Sequence, residues 1–503
     1  MAAYLRGGLS RRSFLVGASS LAAGAAIAGR PSLLHARDLA AECGVCDPDE
    51  RAWRYLAGQL DGDVLRPGDH NYPKAALPNN LRYACIMPRG IARCRTPEDV
   101  AAAISWCRDY DMPFAVRAGG HSYAGYSTTY GLLLDVSPIR QISFDKRTGL
   151  VTIGGGARNA DIYAALRANK VAITHGRCPT VGAAAFLLGG GIGFNMRRNG
   201  LACDHMVGTA LVTADGQLRL ADAKTNPSLF WASRGGGGGN FGVSTSFTLQ
   251  TFTVEKITVF RLKWEKDTRN VAAALMPALE NAPVTLGSRA SFGAITPQQY
   301  AAGTDAPINL LGQIAGSKQD LEDILAAVPR PDASEILENV DYWTGQHFLE
   351  EEGTPSYYQE RSAFVVDPVG PAALDKGFEW LRSWPGTGAY CDLRFFQTGG
   401  AINQVTPTAT AFPHRNSRWL MVVGLYWNER DDAQPDVMRR AHDWQNGFYQ
   451  AMLPFAGRGA YVNFPDPSLA NWRRAYYGQN ADRLSEIKAA VDPTNVFQFP
   501  QAL

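Results

Sequence analysis

Two periods of apolar positions divide the chain. At Thr96-Pro97-Glu98-Asp99 a hydroxyl cap, a proline and two acids precede Val100, Ala103, Ile104 and Cys107, a spacing that predicts a helix of about three turns. Residues 114–118, 132–136 and 150–153 are short apolar runs between turn residues and predict strands, with a helix over 161–168. Residues 205–213 and 217–221, joined by Ala214-Asp215-Gly216, predict a hairpin, and 243–253 alternates like a half-buried strand. Farther on, strand patterns at 258–264, 389–398 and 419–427 mix with helical ones at 317–327 and 435–448, which implies an antiparallel sheet with helices on one face. Leu484, Ile487 and Val491 place a last helix over 480–491, stopped at Asp492-Pro493. No internal repeat is found.

With 503 residues the chain has room for about three to four average domains or two large ones. Its 49 Lys+Arg nearly balance 47 Asp+Glu, and no basic run occurs beyond the N-terminus, so neither nucleic acid nor an anionic membrane is an expected partner. The expected partner is a small molecule.

The start of the chain reads as an address. Ser10-Arg11-Arg12-Ser13-Phe14-Leu15 precedes an Ala/Gly-rich apolar run, Val16 to Ala28, which fits a twin-arginine export signal cleaved after Ala28 or Ala36 and implies the twin-arginine translocase as a transient partner. The run is shorter than the roughly 18 apolar residues of a membrane span. Residues 1–36 are therefore assigned to signal and linker, and 37–80 to an N-terminal lead-in segment. Cys43-Gly44-Val45-Cys46 lacks a surrounding βαβ pattern, so it reads as a disulfide or reduced thiols, with Cys85 and Cys94 left unassigned. No cysteine shows metal-ligand spacing.

Two stretches carry the chemistry. In FAVRAGGHS, Phe114 to Ser122, a strand ends in Gly119-Gly120, whose N–H groups suit an anion-binding nest, with His121 at the exit. By itself His121 reads as a turn histidine bonded to backbone, and Arg117 as either a phosphate partner or a strand residue. In Gly176-Arg177-Cys178-Pro179-Thr180-Val181-Gly182 a cysteine sits in a Gly/Pro loop beside an arginine, which favours a thiolate, although a buried thiol fits as well. Gly237-Gly238-Gly239-Asn240-Phe241-Gly242 has the letters of a dinucleotide fingerprint, but a strand pattern follows where a helix is required.

Together with Gly189-Gly190-Gly191-Ile192-Gly193-Phe194, Arg234 to Val243, Tyr461-Val462-Asn463-Phe464-Pro465-Asp466, Tyr476-Tyr477-Gly478-Gln479-Asn480 and Asp492 to Phe497, these stretches resemble the FAD-dependent oxidases of the vanillyl-alcohol oxidase/p-cresol methylhydroxylase superfamily, in particular the berberine bridge enzyme-like branch. The resemblance covers roughly residues 80–255 and 455–503. It implies an α+β, two-lobed fold of the p-cresol methylhydroxylase type: an FAD-binding domain over 81–255, a helix-covered antiparallel-sheet substrate domain over 256–455, and a C-terminal segment, 456–503, returning to the first lobe.

The same resemblance implies FAD bound through two covalent bonds, from His121 and Cys178. Further cofactor contacts are implied for Arg117, Ala118, Gly119, Gly120 and Ser122, for Pro179, Thr180, Val181 and Gly182, and for Gly191, Gly193, Asn240, Gly242 and Val243. Asn463, Tyr477 and Asn480 complete that set. Tyr461 is the implied base, and because free tyrosine titrates near 10, Asn463 or a nearby cation must stabilise its phenolate. Gln397, Tyr390 and Arg394 are expected to face the flavin from the substrate side. The implied reaction moves a hydride from a C–OH, of a sugar or of a secondary-metabolite alcohol, to flavin and then to O2. A dehydrogenase with another acceptor and a non-catalytic flavin-bearing protein are the rivals. His205 and Phe464 depart from the branch's usual asparagine and tyrosine.

Overall fold

The computed structural model describes residues 48–503, so the export segment and Cys43-Cys46 lie outside the described residues. The first expected helix runs Pro97–Asp109, and Thr96 Oγ1 accepts the Asp99 N–H as its cap. It packs against a four-stranded sheet in which Gly90–Arg93, Leu132–Asp135 and Phe114–Arg117 are parallel neighbours. Asp63–Leu65, inside the lead-in segment, forms that sheet's antiparallel edge.

A second sheet of five antiparallel strands contains the expected hairpin, Met206–Val212 with Leu218–Asp222, and Val243–Gln250 beside it. The expected strand over 243–253 breaks at Thr251; Phe252–Thr253 leaves the sheet and pairs with Val171–Ala172.

The third sheet has seven antiparallel strands, in the order Ala333–Val340, Ile257–Trp264, Ile308–Ile314, Leu286–Gly293, Asp392–Gln397, Trp419–Trp427 and Tyr357–Val365. One face buries Phe292, Leu393, Phe395, Trp419 and Val423 under helices Thr268–Glu280, Pro371–Leu381 and Pro435–Met452. Burial of side chains this large contributes about 1.5–3 kcal/mol each. Because successive strand residues point to opposite faces, the same strands present Tyr358, Glu360, Asp392, Arg394 and Tyr426 on the other face, toward the first lobe. The helix expected over 317–327 is only Lys318–Ile324, capped by Ser317.

The last helix, Ala481–Val491, buries Leu484 and Ile487 among first-lobe residues such as Phe230 and Trp231. Lys488 Nζ, buried, pairs with Asp492 and donates to the carbonyls of Asn240 and Phe497. The glycine run is thereby held as a bend: Gly235, Gly237 and Gly239 have φ of +115°, +80° and +81°, and Tyr477 and Asn240 both donate to the Gly236 carbonyl.

Candidate active site

A cavity of about 580 Å³ lies between the polar sheet face and the first lobe. Its first-lobe wall includes the small residues Ala118, Gly119, Gly120, Ser122, Gly182, Gly193 and Gly242, together with Asn240 and Val243. A Cβ on Gly119 would stand 2.3 Å from Gly182 N, and Gly120 has φ +76°. Side chains there would close the loops onto each other, so the cradle is built for close approach of a large ligand along bare N–H groups, as an FAD pyrophosphate and ring need.

His121 and Cys178 meet on this wall. Thr180 Oγ1 lies 2.9 Å from His121 Nε2 and 3.3 Å from Cys178 Sγ, and donates to the Gly353 carbonyl at 3.0 Å. Burial, with Arg158 nearby, lowers His121 to about 4, so its imidazole is neutral at pH 7 and keeps a nucleophilic lone pair. Gly353, at φ +63°, belongs to a segment of the substrate lobe; a Cβ there would sit 2.3 Å from Cys178 Sγ.

Tyr461 is fully buried, and its hydroxyl oxygen accepts the Gly191 N–H at 3.0 Å and Asn463 Nδ2–H at 3.1 Å. Burial pushes the phenol above its ordinary value, and those two donors pull back only part of the way. Asn463 is within hydrogen-bond reach of the phenol, and no cation–π or ion contact is found at Tyr461 among the described residues. Phe464, where the branch has a tyrosine, stacks on Tyr123 at 4.9 Å and 3° and meets Tyr461 edge-on at 5.1 Å.

Several expected site residues have other work. Arg117 donates to the carbonyls of Ala75, Ala76 and Leu77 in the lead-in segment and to that of Ser127, so its guanidinium is committed to backbone carbonyls and not to a phosphate. Asn480 donates to the carbonyls of Pro407, Thr410 and Ala411, away from the cavity. Gln397 does line the cavity, with its amide hydrogen-bonded to Ser288 Oγ, also on the wall, and to the Leu279 carbonyl. Tyr390 is 49% exposed beyond the strand's start at Asp392, outside the cavity wall. Pro179, Thr180 and Gly191 stand behind the wall, Thr180 and Gly191 orienting His121 and Tyr461. Val181, Tyr477, Asn463 and Arg394 do line it.

Of the opposite wall, sequence reading named Arg394 and Gln397 but missed the acids and tyrosines around them. Arg394 donates from Nε to Asp392 at 2.9 Å and from Nη2 to Glu360 and to Tyr426 Oη at 2.7 Å, while Tyr426 also donates to Glu360. Burial, opposed by Arg394, raises Asp392 to about 6. The signal was available: Tyr358 and Glu360 alternate with residues of the other face within one strand.

This architecture has known counterparts. The families described as "FAD binding domain" and "Berberine and berberine like" match residues 88–221 and 460–503. A carbohydrate oxidase of Microdochium nivale is 30% identical over 474 residues, 87% of this chain and 92% of that one. An uncharacterized FAD-linked oxidoreductase of Bacillus subtilis, YgaK, is 29% identical over 458 residues, 88% of this chain and 97% of its own. Among solved structures, Physcomitrella patens BBE-like 1 superposes with a TM-score of 0.78 at 27% identity, covering 90% of this chain and 98% of that one. The Microdochium nivale carbohydrate oxidase, solved with a substrate analogue, also reaches 0.78, at 23% identity over 90% of this chain and 99% of that one. Sequence and fold therefore agree, and the chain belongs to the berberine bridge enzyme-like family of FAD-linked oxidoreductases.

Proposed function

We propose that this protein oxidises a C–OH group of a sugar or oligosaccharide, with FAD attached through His121 and Cys178, and reduces O2 to H2O2. The observation that carries the reading is the convergence of His121, Cys178 and the Tyr461 phenol on one cavity, opposite a polar sheet face. Bound FAD supplies the acceptor for the two electrons of the carbinol C–H. Tyr461 takes the hydroxyl proton, and the Gly191 and Asn463 donors stabilise the negative charge it then carries. Tyr358, Glu360, Arg394 and Tyr426 offer donors and acceptors to a polyol. Thr180 orients His121 and Cys178 for attachment, and the glycine cradle admits the pyrophosphate.

Val181, three residues after Cys178 and on the cavity wall, favours oxygen as acceptor in the family pattern, because a valine leaves access to the ring. Both acceptor types occur on this fold: variants of the pollen protein Phl p 4 are described as a glucose oxidase and as a glucose dehydrogenase. The test is anaerobic reduction of purified holoprotein with a panel of sugars, followed by mixing with oxygenated buffer. Fast reoxidation with stoichiometric peroxide is expected. Reoxidation no faster than that of free flavin, with rapid transfer to a quinone or dye, would establish the dehydrogenase instead.

Export through the twin-arginine pathway rests on Ser10 to Ala28, and the lead-in segment, FAD lobe, substrate lobe and returning C-terminus are proposed as the domain division. Among the described residues no helix is long and apolar enough to cross a membrane. Arg11→Lys with Arg12→Lys is expected to leave unprocessed precursor in the cytoplasm, read by fractionation; unchanged export would remove the assignment.

A further inference from the structure

Arg177 is the residue before the attachment cysteine, and it lies inside the cavity rather than at the surface. Its guanidinium carbon is 5.0 Å from the Phe194 ring centroid and 5.6 Å from that of Phe396. From the sheet face, Arg289 on Leu286–Gly293 points to the same place. Both arginines meet one acid: Arg177 Nη1 is 3.0 Å and Arg289 Nη1 2.6 Å from Oε1 of Glu351. Burial works against ionisation of Glu351, yet Arg177 and Arg289, with Arg394 beyond, hold its carboxyl down at about 2.

Glu351 underfills this clasp. Two guanidinium forks offer paired N–H groups suited to two-pronged binding of a carboxylate, but a single oxygen, Oε1, serves both. Arg177 Nη1 touches that oxygen without hydrogen-bond alignment, and Arg289 Nε is buried with no partner. Two positive charges also face one negative charge here, whereas Arg394 has two acids of its own, Asp392 and Glu360. The Glu351 side chain is 44% exposed toward the cavity side, and its backbone is pinned by its N–H to the Arg177 carbonyl.

We propose that Arg177 and Arg289 form a carboxylate-binding site beside Cys178, occupied by Glu351 until a substrate carboxylate displaces it, so that the preferred donors are acidic sugars of the uronic acid class. This rests on the sugar-oxidising reading above and narrows it. A substrate held by its carboxylate at the Cys178 edge would extend its carbinol carbon along the cavity toward Tyr461. A neutral sugar would have to fill the same space against Glu351 without replacing its charge.

Binding of D-glucuronate and D-galacturonate to the oxidised holoprotein, compared with D-glucose and D-galactose, tests this by calorimetry. Each acid is expected to bind at least tenfold more tightly than its neutral counterpart. Arg289→Gln should bring that ratio close to one, and Glu351→Gln, which removes the resident carboxylate, should raise it. Equal binding of acid and neutral partner, or a lower ratio in Glu351→Gln, would overturn the proposal and leave the three residues as a latch between the lobes. Anaerobic bleaching of the flavin, read on the same samples, separates the two failures: a carboxylate preference without bleaching by any sugar would reject the sugar-oxidising reading and retain the anion site.

Discussion

Replacing Tyr461 with phenylalanine is expected to slow reduction of the flavin by substrate about 10²–10⁴-fold, or roughly 3–5 kcal/mol of transition-state stabilisation, while the covalent flavin stays in place. The ring is gripped by packing, edge-on to Phe464 at 5.1 Å and Phe364 at 6.3 Å, and phenylalanine keeps those contacts. What disappears is the oxygen proposed to take the proton. The Gly191 N–H loses its acceptor, which costs stability by about 1–3 kcal/mol, so the variant should unfold at a lower temperature but still fold. The pH profile adds a second signature. Because burial raises the Tyr461 phenol, the fraction in the required phenolate form grows with pH throughout the neutral and alkaline range, and the wild-type reduction rate should climb with it. In the phenylalanine variant that slope should vanish. Anaerobic stopped-flow mixing at several pH values measures both effects; a rate within a few-fold of wild type and an unchanged slope would take Tyr461 out of the mechanism.

The two walls of the cavity were not equally legible in the sequence. The first lobe could be read because its information is local: the cap at Thr96, the hairpin turn at Ala214-Asp215-Gly216 and the paired glycines before His121 each act within a few residues. Arg117 shows where local information ends. Its position beside Gly119 left a phosphate partner or a strand residue open, and three of its four carbonyl partners lie some 40 residues earlier, contacts that no pattern around residue 117 encodes. Asn480 failed in the same way, since its three acceptors lie about 70 residues upstream.

The sheet wall was opaque for a different reason. A charged residue in a strand ordinarily marks the solvent side, so Glu360, Asp392 and Arg394 did not look like a buried network. They are buried because each neutralises the next, and this becomes visible only when Tyr357–Val365, Trp419–Trp427 and Asp392–Gln397 are laid side by side. Tyr390 was misplaced by a boundary: the strand pattern was extended to 389, but pairing starts at Asp392, and Tyr390 before it is 49% exposed. Gln397 shares the parity of Phe395 and Leu393, so its amide donates to the Leu279 carbonyl, yet the residue lines the cavity.

Attachment of the flavin gives the other large effect. Acid precipitation of the wild-type protein is expected to carry essentially all the yellow colour into the pellet, His121→Ala and Cys178→Ala should each still retain it, and only the double variant should release FAD into the supernatant. The proposed linkage is two independent bonds. His121 and Cys178 reach the cavity from different loops and both meet Thr180 Oγ1, at 2.9 Å and 3.3 Å. His121 is prepared for bond formation by burial, which keeps it neutral near pH 7; Cys178 is only partly buried and lies next to the cationic Arg177. Covalent bonds of this kind survive denaturation, whereas every contact made by the glycine cradle is lost when the chain unfolds. The absorbance of pellet and supernatant therefore counts bonds, not affinity. Mass analysis of the flavin-bearing peptides from the two single variants assigns each bond to its residue. Complete loss of flavin from the wild type on precipitation would refute both attachments, and complete loss from one single variant would reduce the linkage to the residue removed in it.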